Sequence, residues 1–259
     1  MGTGTTRQDN RLPLQISIGQ VPFSLHIPEQ RLQDHAISRY QAFTCESRHG
    51  LPIFLERKRR SRSSRPKFSY QLDDASLVLR AQKAEFRGVR HEYALDSLLR
   101  ILLTAVLLPQ RGFLLHAASV VYKGRAYVFA GRSGAGKSTI ASLSPAGSVL
   151  TDEISLLRFS GDSWRAHGTP FWGEFRAAGM NRHFPVAGIY FLTQASRDFY
   201  QPLTPKAILR ALLPCVLFFT RAKQAHEALL SVLMHVVAQV PCYRLHFRRS
   251  ADFWRVIAA

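Results

Sequence analysis

The chain has 259 residues, 46% of them hydrophobic, which allows a sizeable core and excludes global disorder. Its 35 Lys and Arg against 17 Asp and Glu give a formal net charge of +18, which favours acidic partners: a nucleotide, a nucleic acid or an acidic peptide. The longest apolar runs, 98–109 and 207–220, each hold an Arg and a Pro, fall short of the ~18 residues a membrane-spanning helix needs, and read as packed helices.

In chain order, residues 1–10 read as a disordered tail. They lack the apolar core of a signal peptide, and Met1-Gly2 followed by Thr6 matches the myristoylation pattern only loosely. Residues 11–90 alternate short apolar runs with turn signals, at 14–18, 23–27, 53–55, 68–72 and 77–81, and predict a small, mostly-β N-terminal region. Within it lies a cationic run, Arg57, Lys58, Arg59, Arg60, Arg62, Arg65 and Lys67. It reads first as a solvated segment and second as a docking patch for an anion. No aromatics interleave with it, which argues against single-stranded nucleic acid.

Residues 91–259 change character. Tyr93, Leu95, Leu98, Leu99, Leu102, Leu103, Val106 and Leu107 fall at helical spacing, and Pro109 ends the helix. A long apolar strand over 112–122, a tight turn at Lys123-Gly124-Arg125 and a strand over 126–130 form a hairpin. A short helix follows from Thr139, stopped by Pro145 and Gly147, and then a single strand over 148–157. Gly161-Asp162 turns into a strand over 163–166, a loop spans 167–174, and 186–193 is a strand. Residues 204–219 and 221–238 read as helices, 241–247 as a strand and 250–258 as a closing helix.

The hairpin leads into Gly131-Arg132-Ser133-Gly134-Ala135-Gly136-Lys137-Ser138, which fits the phosphate-loop pattern G-x-x-x-x-G-K-[ST] at every fixed position. Glycines let successive N–H groups turn inward towards phosphate oxygens. A helix start adds partial positive charge. Gly131, Ser133, Gly134, Ala135, Gly136, Lys137, Ser138 and Thr139 are the candidate ATP-binding residues, with Lys137 reaching the β- and γ-phosphates and Ser138 ligating Mg²⁺.

A bound magnesium–nucleotide complex needs a nearby carboxylate, and Asp152-Glu153 lie one short helix beyond the loop. We expect the pair on a strand beside the loop's own strand. His116, after an apolar run, reads in isolation as an ordinary half-buried histidine. Cys45, Cys215 and Cys242 have no metal-ligand spacing; the latter two read as buried thiols, which fits a reducing, cytoplasmic setting.

Leu114-Leu115-His116-Ala117-Ala118-Ser119, the phosphate loop, and Leu150-Thr151-Asp152-Glu153 together resemble the C-terminal domain of HPr kinase/phosphorylase and its bacterial relatives. Gly168-Thr169-Pro170-Phe171-Trp172-Gly173-Glu174 and Val240-Pro241-Cys242-Tyr243-Arg244-Leu245-His246-Phe247 are similar to segments of those relatives. The resemblance implies an α/β phosphate-loop kinase core of the HPr kinase/phosphoenolpyruvate carboxykinase type. It also implies Asp152 as general base, Glu153 as a metal contact beside Ser138 and Asp152, and His116 as a group that orients or tunes the pair. Two features depart from that family: its usual pair is Asp-Asp, and the segment tied to the phosphorylase reaction has no counterpart here.

The resulting expectation is an ATP- and Mg²⁺-dependent serine kinase acting on a protein or peptide, either a small carrier protein or a ribosomally made precursor peptide. An acidic acceptor would suit the charge, nucleic acid is disfavoured, and a homo-oligomer is allowed. Asp152, His116 and Lys137 are its catalytic residues, and Arg176 or Arg182 is a candidate phosphate clamp. The alternative is a nucleotide-dependent regulatory binding module that transfers no phosphate.

Overall fold

The structure, a computed structural model, describes residues 12–27, 29–47, 49–54, 91–173, 179–220 and 222–258. The expected tail at 1–10, the cationic run at 57–67, the expected strands at 68–72 and 77–81, and Glu174 and Arg176 lie outside the described residues. The chain divides into two compact units, Met1–Leu95 and Asp96–Ala259.

In the first unit, β1 (Leu14–Ile18) and β2 (Val21–His26) pair antiparallel. Gly19 and Gln20 between them have φ of 61° and 66°, the double left-handed turn that matches strand twist in two-residue hairpins. Helix α1 (Gln30–Tyr40) then returns the chain to β3 (Leu51–Phe54), which lies parallel to β2. Ile16, Ile18, Phe23, Leu25, Tyr40, Phe43 and Ile53 form its buried interior. The described part is therefore mixed rather than mostly β. Helix α1 escaped the sequence reading because only Ala36 and Tyr40 are buried along it, too narrow a face to give a helical period.

Helix α2 (His91–Leu107) buries Leu95, Leu98, Leu99, Leu102, Leu103, Val106 and Leu107. Pro109 sits in a tight turn after it, and Arg111 at φ 53° reverses the chain. The second unit is built on a mixed sheet, nine-stranded among the described residues. Its strands are β4 (Gly112–Tyr122), β5 (Arg125–Ala130), β6 (Val149–Thr151), β7 (Ile154–Ser160), β8 (Ser163–His167), β9 (His183–Gln194), β10 (Phe199–Pro202), β11 (Val216–Leu217) and β12 (Cys242–Phe247). The order is β10-β12-β9-β5-β4-β7-β8, with β6 and β11 also on β4, and β8 pairing back onto β9. Strands β12, β9 and β5 are parallel; β4 and β10 run antiparallel to their neighbours.

Strict alternation along β5 explains the layering. Ala126, Val128 and Ala130 face one core, shared with α4 (Pro205–Leu212) and α5 (Lys223–Gln239) through Ile208, Leu212, Leu229, Val232 and Leu233. Tyr127 and Phe129 face the other, shared with α3 (Lys137–Ser142) and α6 (Phe253–Ile257) through Ile140, Phe253 and Trp254. The β4–β5 hairpin closes through Lys123 and Gly124, at φ 48° and 74°.

Two sequence expectations need correction, and one strand was not foreseen. The single strand over 148–157 is broken at Asp152-Glu153 into β6 and β7, and β4 lies between them and β5, so the acidic pair is not on the loop strand's neighbour. The helix over 204–219 stops at Leu212, because Pro214 cannot continue it, and Val216–Leu217 joins the sheet. Strand β10 went unread because all four of its residues are exposed, so it shows no alternation.

Candidate functional site

Strand β5 delivers the chain into the glycine-rich loop at Ala130. A Cβ on Gly131 would lie 2.7 Å from the Ala135 Cβ, and one on Gly136, at φ 105°, would lie 2.6 Å from the Phe247 ring. Gly134, at φ 78°, has open space around it. The loop is thus a cradle that only glycine permits at its two ends, with an open crest. Ser133 and Gly134 are exposed there, and Ser138 and Thr139 are half-buried on α3. Gln194 at the end of β9 ties the crest by donating to the Gly134 carbonyl at 3.0 Å. Lys137 is buried and donates to the carbonyls of Gly131 (3.0 Å) and Arg132 (3.2 Å), so its ammonium lies along the inside of the loop. The Cys215 thiol touches the same loop: burial raises its pKa, and Lys137 and the Gly131 backbone act against that.

Strand β4 brings the acidic pair to this loop. Its first half pairs with β7 and its second half with β5 and β6, so the chain must jump between ladders, and Asp152-Glu153 occupy the jump. The gap is braced by hydroxyls: Ser119 and Ser155 share a hydrogen bond at 2.6 Å, Ser155 donates to the Ala117 carbonyl at 2.9 Å, and Thr169 donates to the Ile154 carbonyl at 2.6 Å.

Asp152 is 3% exposed. Both its oxygens accept from the Gly173 N–H, at 3.1 Å each. Gly173 also lies against Glu153, where a Cβ would come within 3.1 Å of that side chain. Glu153 accepts from Arg100 Nη2 at 3.4 Å, and the Arg100 guanidinium packs over the Phe171 ring at 5.0 Å. Burial pushes the Glu153 pKa up, opposed by Arg100 and Lys137 and reinforced by Asp152 and Asp96. Burial, then Lys137 and Arg100, push the His116 pKa down, which favours the uncharged imidazole. Lys137, Asp152, Glu153, His116 and Arg100 therefore form one electrostatic neighbourhood.

Arg100 is the residue that sequence reasoning missed. Of the two arginines named instead, Arg182 packs over the Phe184 ring at 5.1 Å, and Arg176 lies outside the described residues. The available signal was Asp96 and Arg100 at i and i+4, the two charged residues in the mostly apolar stretch from Tyr93 to Leu107 of α2. Among the described residues no cluster of three His, Cys, Asp or Glu could hold a metal. Magnesium that arrives on phosphates needs only one or two protein carboxylates, and Asp152 and Glu153 fit that requirement together with Ser138.

The fold and site define a mixed α/β protein in which a glycine-rich phosphate-type loop faces a buried acidic pair. The family model that matches, over residues 90–259, is described as SynChlorMet cassette protein ScmC. It takes in more than half of the chain and the whole site, and the chain belongs to the ScmC family. Among curated proteins, none matches the chain. The family match overturns the resemblance to HPr kinase/phosphorylase. The phosphate loop, the most specific of the segments that suggested it, is a pattern shared by many scaffolds, whereas Glu153 and the missing second segment already departed from that family's pattern. No helix of the described residues is long and apolar enough to cross a membrane.

Proposed function

We propose that this chain is an ATP- and Mg²⁺-dependent serine kinase for a protein or peptide acceptor, with residues 91–259 as a phosphate-loop catalytic domain. The observation that carries this reading is the gathering of Lys137, Asp152, Glu153 and His116 where β4 changes partners, beside a loop only glycines allow. A binding loop alone has no use for a carboxylate pair whose Glu153 feels the charge of the loop's lysine.

Magnesium–ATP supplies the phosphoryl group and neutralises part of its charge. The loop N–H groups from Gly131 to Thr139 hold phosphate oxygens, and Lys137 swings from its own loop carbonyls to the β- and γ-phosphates. Asp152 accepts the proton of the acceptor serine as its Oγ bonds to phosphorus and the bond to the β-phosphate oxygen breaks, releasing ADP. Ser138 and Glu153 would hold the metal, and Arg100 holds Glu153. His116, uncharged, orients the carboxylates without adding a competing positive charge.

One observation favours a second reading, a nucleotide-dependent binding module: the Gly173 N–H closes over both oxygens of Asp152. Transfer from γ-labelled ATP separates the two. The assay uses wild type, Lys137→Ala and Asp152→Asn, with peptides and small proteins encoded beside the gene as acceptors. Label on a serine, lost in both variants, supports the kinase. Tight ATP binding without transfer, abolished only by Lys137→Ala, supports the module.

A further inference from the structure

We infer that strand β10 is a docking edge for an extended, acidic segment of the acceptor polypeptide. This rests on the reading of a peptide acceptor and goes beyond it by placing where that peptide is held. Three independent observations meet at this edge.

First, among the described residues β10 pairs with β12 alone, and every residue of β10 is exposed. An open edge offers unpaired N–H and C=O groups to an added strand. The Leu203 N–H bonds to the Cys242 carbonyl, so by antiparallel alternation Phe199 and Gln201 bond to β12, while the N–H and C=O of Tyr200 and the carbonyl of Pro202 face outward. Second, the edge carries large rings in water. Phe199 is 39% and Tyr200 43% exposed, each pinned from beneath: Phe199 lies flat on His246 at 4.3 Å, and Tyr200 meets the Tyr243 ring at 4.9 Å. Rings preset in this way give contact area to an alternating strand at little entropic cost.

Third, the head of β10 opens into a cleft of about 410 Å³ lined by Arg197, Asp198, Arg248, Asp252 and Arg255. Arg248 binds Asp198 at 2.8 Å, which occupies the more buried of the two acids. The Arg255 side chain stays 86% exposed beside Asp252, and Arg197 is exposed. With Arg249 also exposed next to the cleft, the surplus charge is positive and selects carboxylates.

The topology aims this edge at the phosphate loop. Strands β5, β9 and β12 run parallel, so their C-terminal ends lie together; Gln194 and Phe247 at those ends touch Gly134 and Gly136. Antiparallel β10 therefore begins, at Phe199, on the phosphate-loop side. From a strand added outside β10 to the acidic pair the path crosses β10, β12, β9, β5 and β4 to reach β6, a span of about 29 Å at ~4.8 Å per strand, which an extended chain covers in about nine residues. The acceptor serine is expected at about that separation from the docked acidic segment, in the direction of the loop.

The test is capture from a random-sequence synthetic peptide library by the immobilised full chain, read by sequencing. Wild type, Arg197→Glu/Arg255→Glu and Lys137→Ala are compared, with ATP binding measured in parallel. Enrichment by wild type of acidic, β-branched segments, about tenfold weaker in the double variant, with its ATP binding unchanged and with Lys137→Ala capturing like wild type, supports the edge. Arg197→Gln/Arg255→Gln, with milder charge loss, should fall between. No enrichment, enrichment of basic segments, or enrichment that survives the charge reversal overturns it. Captured peptides are then incubated with γ-labelled ATP. Captured but unlabelled peptides leave the docking edge standing and sink the kinase reading instead.

Discussion

At the scale of single residues, the site sets charges against each other in a partly buried setting. Arg100 is tied to Glu153, and its Nε is buried with no hydrogen-bond partner. Removing it leaves Glu153 without its main opposing charge, so the carboxyl pKa, already raised by burial, rises further and the metal contact proposed for it would weaken. If the chain is the kinase proposed above, Arg100→Gln should lower phosphoryl transfer and shift the acid limb of the pH–rate profile to higher pH, leaving the basic limb in place, while Arg100→Lys, keeping the charge, should restore part of the rate; steady-state kinetics across pH would show either. Asp152→Asn should cut transfer by about 10²–10⁴, the usual worth of a positioned base, with ATP affinity retained in equilibrium binding. Lys137 and Asp152 were legible in the sequence because a fixed motif and a short spacing mark them. Arg100 was not, because an arginine in an apolar run looks like a break in the run, and its partner arrives from a strand far along the chain.

At the scale of elements, tight backbone approaches hold the acidic pair in place. A Cβ on Gly168 would fall within 1.8 Å of the Met180 carbonyl oxygen, and one on Gly179 within 2.0 Å of the Thr169 oxygen. These two glycines let the segment carrying Thr169, Phe171 and Gly173 lie flat against β6. Gly168→Ala forces that backbone apart; the expected loss is about 2–4 kcal/mol, within the range for severe steric lesions, seen as a lower midpoint in urea unfolding. Gly134→Ala meets open space, and only its left-handed φ opposes it, so about 1 kcal/mol is expected. The hairpin and phosphate loop were readable because Lys123-Gly124 and the glycine spacing have local causes. The split of 148–157 was not, since it is imposed by β4 switching partners, a feature of the sheet and not of those ten residues. Strand β10 and helix α1 were lost for the same kind of reason: one is wholly exposed and the other barely buried, and neither writes a period into the sequence.

At the scale of the whole molecule, buried histidines tie stability to pH. His167 ends β8 with its ring 4.8 Å from that of His183; its Nε2 is buried without a hydrogen-bond partner. Burial, with His183, Arg158 and Arg165 adding positive charge, pushes its pKa from 6.5 down to about 3. The unfolded chain thus takes up a proton below about pH 6.5 that the folded chain refuses until about pH 3. Stability from His167 is full above the first value and drains away as pH falls towards the second. His116 and His183 are shifted in the same sense, while Glu153, whose pKa is raised, gains stability as pH falls and offsets part of the loss. The net slope is expected to be positive, with acid costing a few kcal/mol between pH 7 and 4. His167→Phe keeps the ring and removes the proton site, so its unfolding midpoint should depend less on pH than that of wild type. Parallel slopes for the two proteins in urea titrations at stepped pH would show that His167 is not the group responsible.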